Sequence, residues 1–145
     1  MAELIYEGTC HCGAIGYRYG TAIDPVNWPI RACQCGFCRM HDALSTSDPL
    51  GTLQFSATSE EILQRYRFAL KTADFLICRR CGVYVGAVID TAEGKFGIIN
   101  THTLDKAPRN VAEGSPISYD IEDEEARIRR REERWTPVTG VPWHS

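Results

Sequence analysis

Apolar residues along this chain recur in short, partly alternating runs, the pattern of β-strands that bury one face. The clearest runs are "ADFLIC" at 73–78, "VYVGAVI" at 83–89 and "KFGIIN" at 95–100, and Gly, Asp and Thr bound them. The pattern therefore predicts a mainly β fold. Five weaker runs predict further strands, at residues 3–8, 14–19, 44–47, 52–56 and 64–68.

Two segments carry helical signals instead. The longer, residues 122–135, is the main helix candidate, because Ile121, Ile128 and Trp135 are spaced seven apart and share one side of a helix. The shorter, residues 58–63, begins with a threonine able to cap a helical turn and has a glutamate three residues on. The chain after the long helix contains two prolines, and we expect an irregular tail there.

Length and charge exclude several classes of function. The 145 residues are the length of one domain, and we expect a single domain over residues 1–145. The net charge of −3 leaves no basic excess to neutralise phosphates, so nucleic-acid binding is not expected. No apolar run approaches the roughly 18 residues of a membrane helix, and the first residues do not resemble an export signal. We therefore expect a cytoplasmic protein without nucleic-acid or membrane partners.

Charged residues concentrate in the long helix candidate. Five arginines and six acidic residues share this segment, which leaves it with a charge of −1. We predict a solvated helix with internal ion pairs, in preference to a nucleic-acid-binding arm. The arginines are Arg127, Arg129, Arg130, Arg131 and Arg134, and the acids are Glu122, Asp123, Glu124, Glu125, Glu132 and Glu133.

Seven cysteines are the most informative excess in the sequence. An odd number of cysteines in a chain without an export signal argues against a disulfide framework, because the cytosol keeps thiols reduced. The spacing also argues against scattered core cysteines, because all seven fall into three tight clusters. These are Cys10-His11-Cys12-Gly13, Cys33-Gln34-Cys35-Gly36-Phe37-Cys38 and Cys78-Arg79-Arg80-Cys81-Gly82.

The first and third clusters each place a glycine directly after their second cysteine. Glycine lets the chain turn sharply, so that backbone N–H groups point at sulfur. Zinc is held tetrahedrally by four thiolates in structural sites, and two such turns together supply them. We therefore predict one structural zinc site from Cys10, Cys12, Cys78 and Cys81.

The middle cluster, Cys33, Cys35 and Cys38, lacks a fourth cysteine. Three protein ligands and an open position are typical of a catalytic zinc. A histidine, His41 or His102, could instead close the site, and spacing alone favours neither arrangement. Zinc with three thiolates carries a charge of −1, which suits the capture of an incoming thiol better than the generation of hydroxide.

The order of these motifs resembles that of the glutathione-dependent formaldehyde-activating enzymes and their centromere-protein-V relatives. All seven cysteines fall on motif positions, and the resemblance covers residues 8 to about 105. The matching motifs are C-x-C-G at 10–13, C-x-C-x-x-C-R at 33–39, Y-x-F at 66–68, C-x-x-C-G at 78–82 and Leu-Asp at 104–105.

This resemblance implies an Mss4-like fold of small coiled β-sheets that binds two zinc ions. It also assigns the four-cysteine site a structural role and leaves the site of Cys33, Cys35 and Cys38 open for catalysis. The implied activity is of the carbon–sulfur lyase type. It condenses glutathione, as co-substrate, with formaldehyde to give S-hydroxymethylglutathione, or runs in reverse, so the partners would be a small thiol and a small aldehyde.

Several residues bear on the substrate. The segment before Cys78 lacks the His and Phe often found in the family, which leaves the identity of the thiol and aldehyde open. Arg39, beside Cys38, is the first candidate to bind the carboxylates of a glutathione-like thiol, and Arg31 is a weaker one. Arg79 and Arg80, inside the third cysteine turn, are better explained as surface arginines. His41 or Asp42 is a candidate proton carrier. The alternative from another class is a non-catalytic double-zinc scaffold module, in which a protein side chain seals the second site.

Overall fold

The computed structural model describes residues 3–106, 108 and 111–139, and its secondary structure is mainly β, as the sequence pattern predicts. Each of the eight predicted strand segments overlaps an observed strand. The strands are β1 Leu4–Thr9, β2 Ile15–Thr21, β3 Arg31–Cys33, β4 Ser45–Thr46, β5 Thr52–Ala57, β6 Leu63–Tyr66, β7 Asp74–Cys78, β8 Tyr84–Thr91, β9 Gly94–Asn100, β10 Ser115–Ile117 and β11 Thr136–Pro137. The helices are α1 Gly36–Met40 and α2 Glu124–Arg134, and short 3₁₀ turns lie at Pro25–Asn27 and Thr101–Thr103.

The described strands form two sheets. The smaller sheet has the order β1-β2-β5 and is antiparallel throughout. The larger sheet has the order β10-β3-β4-β9-β8-β7-β6, with β10 parallel to β3, and β11 pairs with β9 beside this path. The strongest sequence signals, β7, β8 and β9, lie next to one another in the larger sheet. Apolar residues occupy both of their faces because each face packs in a different buried cluster.

Burial follows the alternation of the strands. In β5, Leu53 and Phe55 are each 1% exposed, while the residues between and beside them face solvent. A second buried group includes Phe75, Tyr84 and Trp135, with Phe37 of α1 packed against it. Each such large apolar side chain contributes about 1.5–3 kcal/mol on burial. This second group forms the floor beneath the middle cysteine cluster.

Helix α2 confirms the long helix prediction, with one correction. The Asp123 carboxylate accepts a hydrogen bond from the Ala126 amide at 2.8 Å, which caps the first turn. Trp135 is buried and Ile128 is half-buried, but Ile121 precedes the helix and is 99% exposed. Only Ile128 and Trp135 of the three predicted apolar residues pack against the core, because the helix begins after Ile121.

Two local predictions are wrong. Residues 58–63 form a turn and not a helix. The Ile62 amide donates a hydrogen bond to the Ser59 hydroxyl at 3.3 Å, so Ser59 and not Thr58 is the acceptor in this turn. Leu63 already begins β6 and is buried, so sheet pairing overrides the weak helical signal. The predicted irregular tail instead begins with β11, whose Thr136 and Pro137 pair with β9. Residues 140–145 of that tail lie outside the described residues.

Within the described ranges, none of the helices combines the length and the apolar character needed to cross a membrane.

Candidate functional site

The first and third cysteine clusters meet in space, as predicted from their spacing. The four sulfur atoms of Cys10, Cys12, Cys78 and Cys81 all lie within 4.8 Å of one another. Cys12 Sγ is 3.7 Å from Cys10 Sγ and 3.6 Å from Cys78 Sγ, and all seven cysteines are free thiols. This cysteine quartet joins the β1–β2 turn of the smaller sheet to the β7–β8 turn of the larger sheet.

Glycine and backbone amides shape the quartet in the predicted way. Gly13 and Gly82 have φ values of 82° and 78°, in the left-handed region that glycine adopts without strain. The Ile15 amide donates to Cys10 Sγ and the Cys81 amide donates to Cys78 Sγ, both at 3.4 Å. Amide donors stabilise negative charge on sulfur, so the quartet fits a thiophilic cation such as zinc.

The middle cluster forms a second sulfur group, the cysteine trio, at the junction of β3 and α1. The sulfur atoms of Cys33, Cys35 and Cys38 lie within 4.8 Å of one another, and all three residues are half-buried. Cys35 is the N-cap of α1, and its sulfur accepts a hydrogen bond from the Cys38 amide at 3.4 Å. A helix this short follows from that local bond and from Phe37, which anchors it to the core.

The electrostatics of the trio favour a bound cation. Hydrogen bonds from the Cys33 and Cys38 thiols lower the pKa of Cys35, and the same contacts raise the pKa of Cys33 and of Cys38. Only one of three such close thiols ionises readily on its own, because a second negative charge is repelled by the first. A soft divalent cation removes that conflict, so this donor set also fits zinc.

The two histidines considered as closing ligands have other contacts. His41 Nδ1 lies 2.9 Å from the Phe37 carbonyl oxygen, and the His41 and Phe37 rings contact each other at a tilt of 36°, with centroids 4.3 Å apart. His102 Nε2 lies 4.0 Å from a carboxylate oxygen of Asp42. Within residues 3–106, 108 and 111–139, no His, Cys, Asp or Glu places a fourth ligand atom within 4.8 Å of all three trio sulfurs.

A cavity of about 330 Å³ borders the trio, the size range of small-molecule sites. All three cysteines line it, so a ligand in the cavity has direct access to the sulfur group. Its other walls are the segment at 68–73, the floor formed by Phe75 and Trp135, and charged residues from β3, α2 and the loop before α2. We call this space the trio cavity.

Helix α2 supplies the charged wall, which corrects the prediction of a fully solvated helix. The predicted internal ion pairs are present: Arg129 binds Glu125 at 3.0 Å on the exposed side, and Arg130 binds both carboxylate oxygens of Glu122, at 2.8 and 3.0 Å. However, Arg127, Arg130 and Arg131 line the trio cavity. The charge pattern alone could not indicate this, because the orientation of the helix depends on how Trp135 and Ile128 pack.

The candidate substrate arginines occupy different positions. Arg39 is exposed, its Nε donates to the Gln34 carbonyl oxygen at 3.0 Å, and it is not part of the described cavity wall. Arg31, the second candidate, does line the trio cavity and donates from Nη2 to the Ser47 hydroxyl at 2.6 Å. Substrate binding by Arg39 stays a prediction.

Aromatic rings hold the trio helix in place. Tyr66 and Phe68, the Y-x-F motif, both stack on Phe37, with centroids 5.8 and 5.1 Å away. Tyr84 meets Phe37 edge-on at 5.0 Å, and burial, with a smaller contribution from negative charge in the neighbouring trio, raises its pKa well above the ordinary value. Tyr84 belongs to the core and Phe68 lines the trio cavity, whereas Tyr66 is 43% exposed and is not part of the described cavity wall.

Comparison with known proteins agrees with this geometry. The family model described as "Glutathione-dependent formaldehyde-activating enzyme" matches residues 5–119, well over half of the chain. A crystal structure of a Rhodobacter sphaeroides protein is similar, with a TM-score of 0.58 and 28% sequence identity, over 77% of this chain and 99% of that one. The chain therefore belongs to the glutathione-dependent formaldehyde-activating enzyme family.

Proposed function

We propose that this protein is a zinc-dependent enzyme of the carbon–sulfur lyase type, which condenses a small thiol such as glutathione with a small aldehyde such as formaldehyde, or runs the reverse reaction. The observation that carries the proposal is that all three trio sulfurs line a cavity of ligand size. Membership of the family supports the same reaction class. The alternative, a scaffold module, needs a sealed second site and gives no role to this cavity.

Cys33, Cys35 and Cys38 would hold the second zinc. When bound, that zinc supplies positive charge and an open position that favours the thiolate form of a substrate thiol. The reaction itself forms a bond between the substrate sulfur and the carbonyl carbon. The π electrons of the C=O bond move to oxygen, and the proton lost by the thiol ends on that oxygen, so nothing is oxidised or reduced.

The protein contributes mainly by holding the two reactants together. Hemithioacetal formation is an easy reaction, so placing both reactants in the trio cavity supplies most of the required acceleration. His41 and Asp42 remain the predicted proton carriers. Both are exposed and lie just past α1, so a proton from either would reach the cavity through water.

The quartet, in this proposal, holds a structural zinc. Such a site contributes on the order of 10 kcal/mol to folding in zinc-finger peptides. Here the bound ion would hold the two sheets together through Cys10, Cys12, Cys78 and Cys81. We also propose a cytoplasmic location, supported by the seven free thiols, since reducing compartments preserve them.

Turnover tests the proposal directly. Zinc-loaded protein is mixed with glutathione and ¹³C-formaldehyde, and exchange spectroscopy by NMR measures how fast S-hydroxymethylglutathione forms and dissociates. We expect the wild-type protein to accelerate exchange at least tenfold over the same mixture without protein. Exchange rates equal to those of the protein-free mixture, for glutathione and for other small thiols, would contradict the proposed reaction.

A further inference from the structure

Arg131 of α2 is a buried cation without a carboxylate partner. It is 7% exposed, its Nη1 donates to the Thr72 hydroxyl, and its Nε is buried with no hydrogen-bond partner. No Asp or Glu in the described part of the chain lies within 4.0 Å of its guanidinium. By contrast, Arg127 and Arg130 share the Glu122 carboxylate.

Such burial is costly unless an anion compensates it. Desolvation lowers the pKa of Arg131 to about 10, so the group stays protonated at neutral pH and keeps its charge. The Trp135 ring, 4.8 Å from the guanidinium carbon, provides a partial cation–π contact. A hydroxyl and a ring face satisfy this side chain incompletely, and its Nε stays buried without a partner.

The unpaired charge faces the trio cavity. Arg131 and the three cysteines line the same space, and so does Arg31, which likewise has no carboxylate within 4.0 Å among the described residues. Four guanidinium groups line the cavity against two carboxylates, those of Asp120 and Glu122. Negative charge on Glu122 and on Cys33 acts on Arg131 through space, but its Nη1 hydrogen bond goes to Thr72 and no carboxylate among the described residues lies within 4.0 Å.

We propose that Arg131 is a binding residue for the carboxylate of an anionic ligand in the trio cavity, and that it makes the site select anionic over neutral reactants. Arg131 lies beyond residues 5–119, so a helix outside the family match supplies this selectivity. The carboxylate belongs either to the thiol or to the aldehyde. Only this last assignment rests on the proposed function, because carboxylate binding itself requires no reaction.

Binding of a non-reactive carboxylate tests the proposal without any thiol. Propionate and its neutral analogue propionamide are titrated into zinc-loaded protein, with tryptophan fluorescence as the signal, because Trp135 lines the cavity beside Arg131. We expect propionate to bind and propionamide to bind at least tenfold more weakly, as befits a charge-assisted hydrogen bond. Equal binding of the two, or binding of neither, would overturn the proposal.

Matched variants on the same helix locate the site. Arg131→Met should weaken propionate binding at least tenfold, and Arg131→Lys should restore part of it. Arg129→Met removes an exposed arginine of the same helix and should leave binding unchanged. If Arg131→Met does not fold, Arg131→Lys and the propionate–propionamide comparison in the wild type still decide. Propionate binding as strong in Arg131→Met and Arg131→Lys as in the wild type would refute the assignment.

Two further arms identify which reactant carries the carboxylate. The thiol arm compares 3-mercaptopropionate with 3-mercapto-1-propanol, and the aldehyde arm compares glyoxylate with formaldehyde. Selectivity that depends on Arg131 in one arm only assigns the carboxylate to that reactant. Arg131-dependent propionate binding without turnover of any pair would refute the proposed reaction and leave the carboxylate site standing. Turnover with no preference for anionic reactants in either arm would refute the carboxylate site and leave the proposed reaction standing.

Discussion

At the scale of single residues, the seven cysteines differ in their surroundings as well as in their spacing. Cys10 and Cys78 are each 1% exposed and receive amide hydrogen bonds from their own turns. The trio cysteines are half-buried and line a cavity. The quartet also includes the exposed Cys12 and the half-buried Cys81, so the number of ligands separates the two groups better than burial does. Four sulfurs suit a permanent ion, whereas three that border a cavity suit an ion that exchanges a ligand.

Cysteine-to-serine substitutions should therefore have opposite effects in the two groups. We expect Cys33→Ser to lower the rate of hydroxymethyl exchange at least 100-fold and to leave the thermal unfolding temperature within a few degrees of wild type, since it removes a ligand of the open site. Cys78→Ser should destabilise the protein by several kcal/mol, because it disrupts the ion that joins the sheets. Both are measured by NMR exchange and circular dichroism. Similar stability losses in the two variants would contradict the division of roles.

Spacing reveals the cysteine groups but not the arginines that face them. Two cysteines before a glycine define a turn locally, so Cys10, Cys12, Cys78 and Cys81 could be paired from the sequence. Arg131 could not be singled out among five arginines, because its burial depends on how α2 packs on the larger sheet. The roles of the glycines and cysteines follow from neighbouring residues in the sequence, whereas the role of Arg131 depends on tertiary packing.

At the scale of elements, strands with a strong apolar pattern of their own could be predicted, whereas short elements that depend on tertiary contacts could not. β7, β8 and β9 contain continuous apolar runs and are evident in the sequence. β3 and β10 have three residues each and exist because they pair with each other. α1 has five residues and depends on the Cys35 cap and on Phe37, so it is too short for a helical periodicity to predict it.

The α2 cap gives an element-scale prediction. Asp123→Ala removes the carboxylate that accepts the Ala126 amide, and should lower the free energy of unfolding by about 1 kcal/mol. Because α2 forms a wall of the trio cavity, propionate affinity should fall as well. Glu133→Ala, an exposed change near the other end of α2, should alter stability by no more than about 0.5 kcal/mol. Both are measured by urea denaturation, and equal effects would show that the cap is unimportant.

At the scale of the whole molecule, the two cysteine groups occupy different structural positions. The quartet links the three-stranded sheet to the eight-stranded sheet, whereas the trio lies where β3 meets α1, within the larger sheet's part of the fold. If the proposed ions are bound, loss of the quartet ion would remove a link between the two sheets, which otherwise meet through a shared buried cluster. Loss of the trio ion would leave that link in place.

Stepwise metal removal should reveal this difference. We expect two zinc ions per purified chain, and a chelator should extract one without loss of the circular dichroism signal of the strands. Extraction of the second should unfold the protein, because that ion contributes on the order of 10 kcal/mol. Zinc release is followed with a colorimetric indicator beside circular dichroism. Complete unfolding together with the first ion released would contradict the assignment.

The central claim is that the trio holds an ion with a position open to an incoming thiol. Cobalt-substituted protein tests it most directly, because tetrahedral cobalt absorbs in the visible range with a spectrum set by its ligands. We predict that titration with glutathione shifts the bands of the trio site towards those of a four-sulfur site and leaves the quartet bands unchanged. The same titration in Cys33→Ser, whose trio is incomplete, should show only the quartet bands. Spectra that no small thiol alters at either site would contradict the claim.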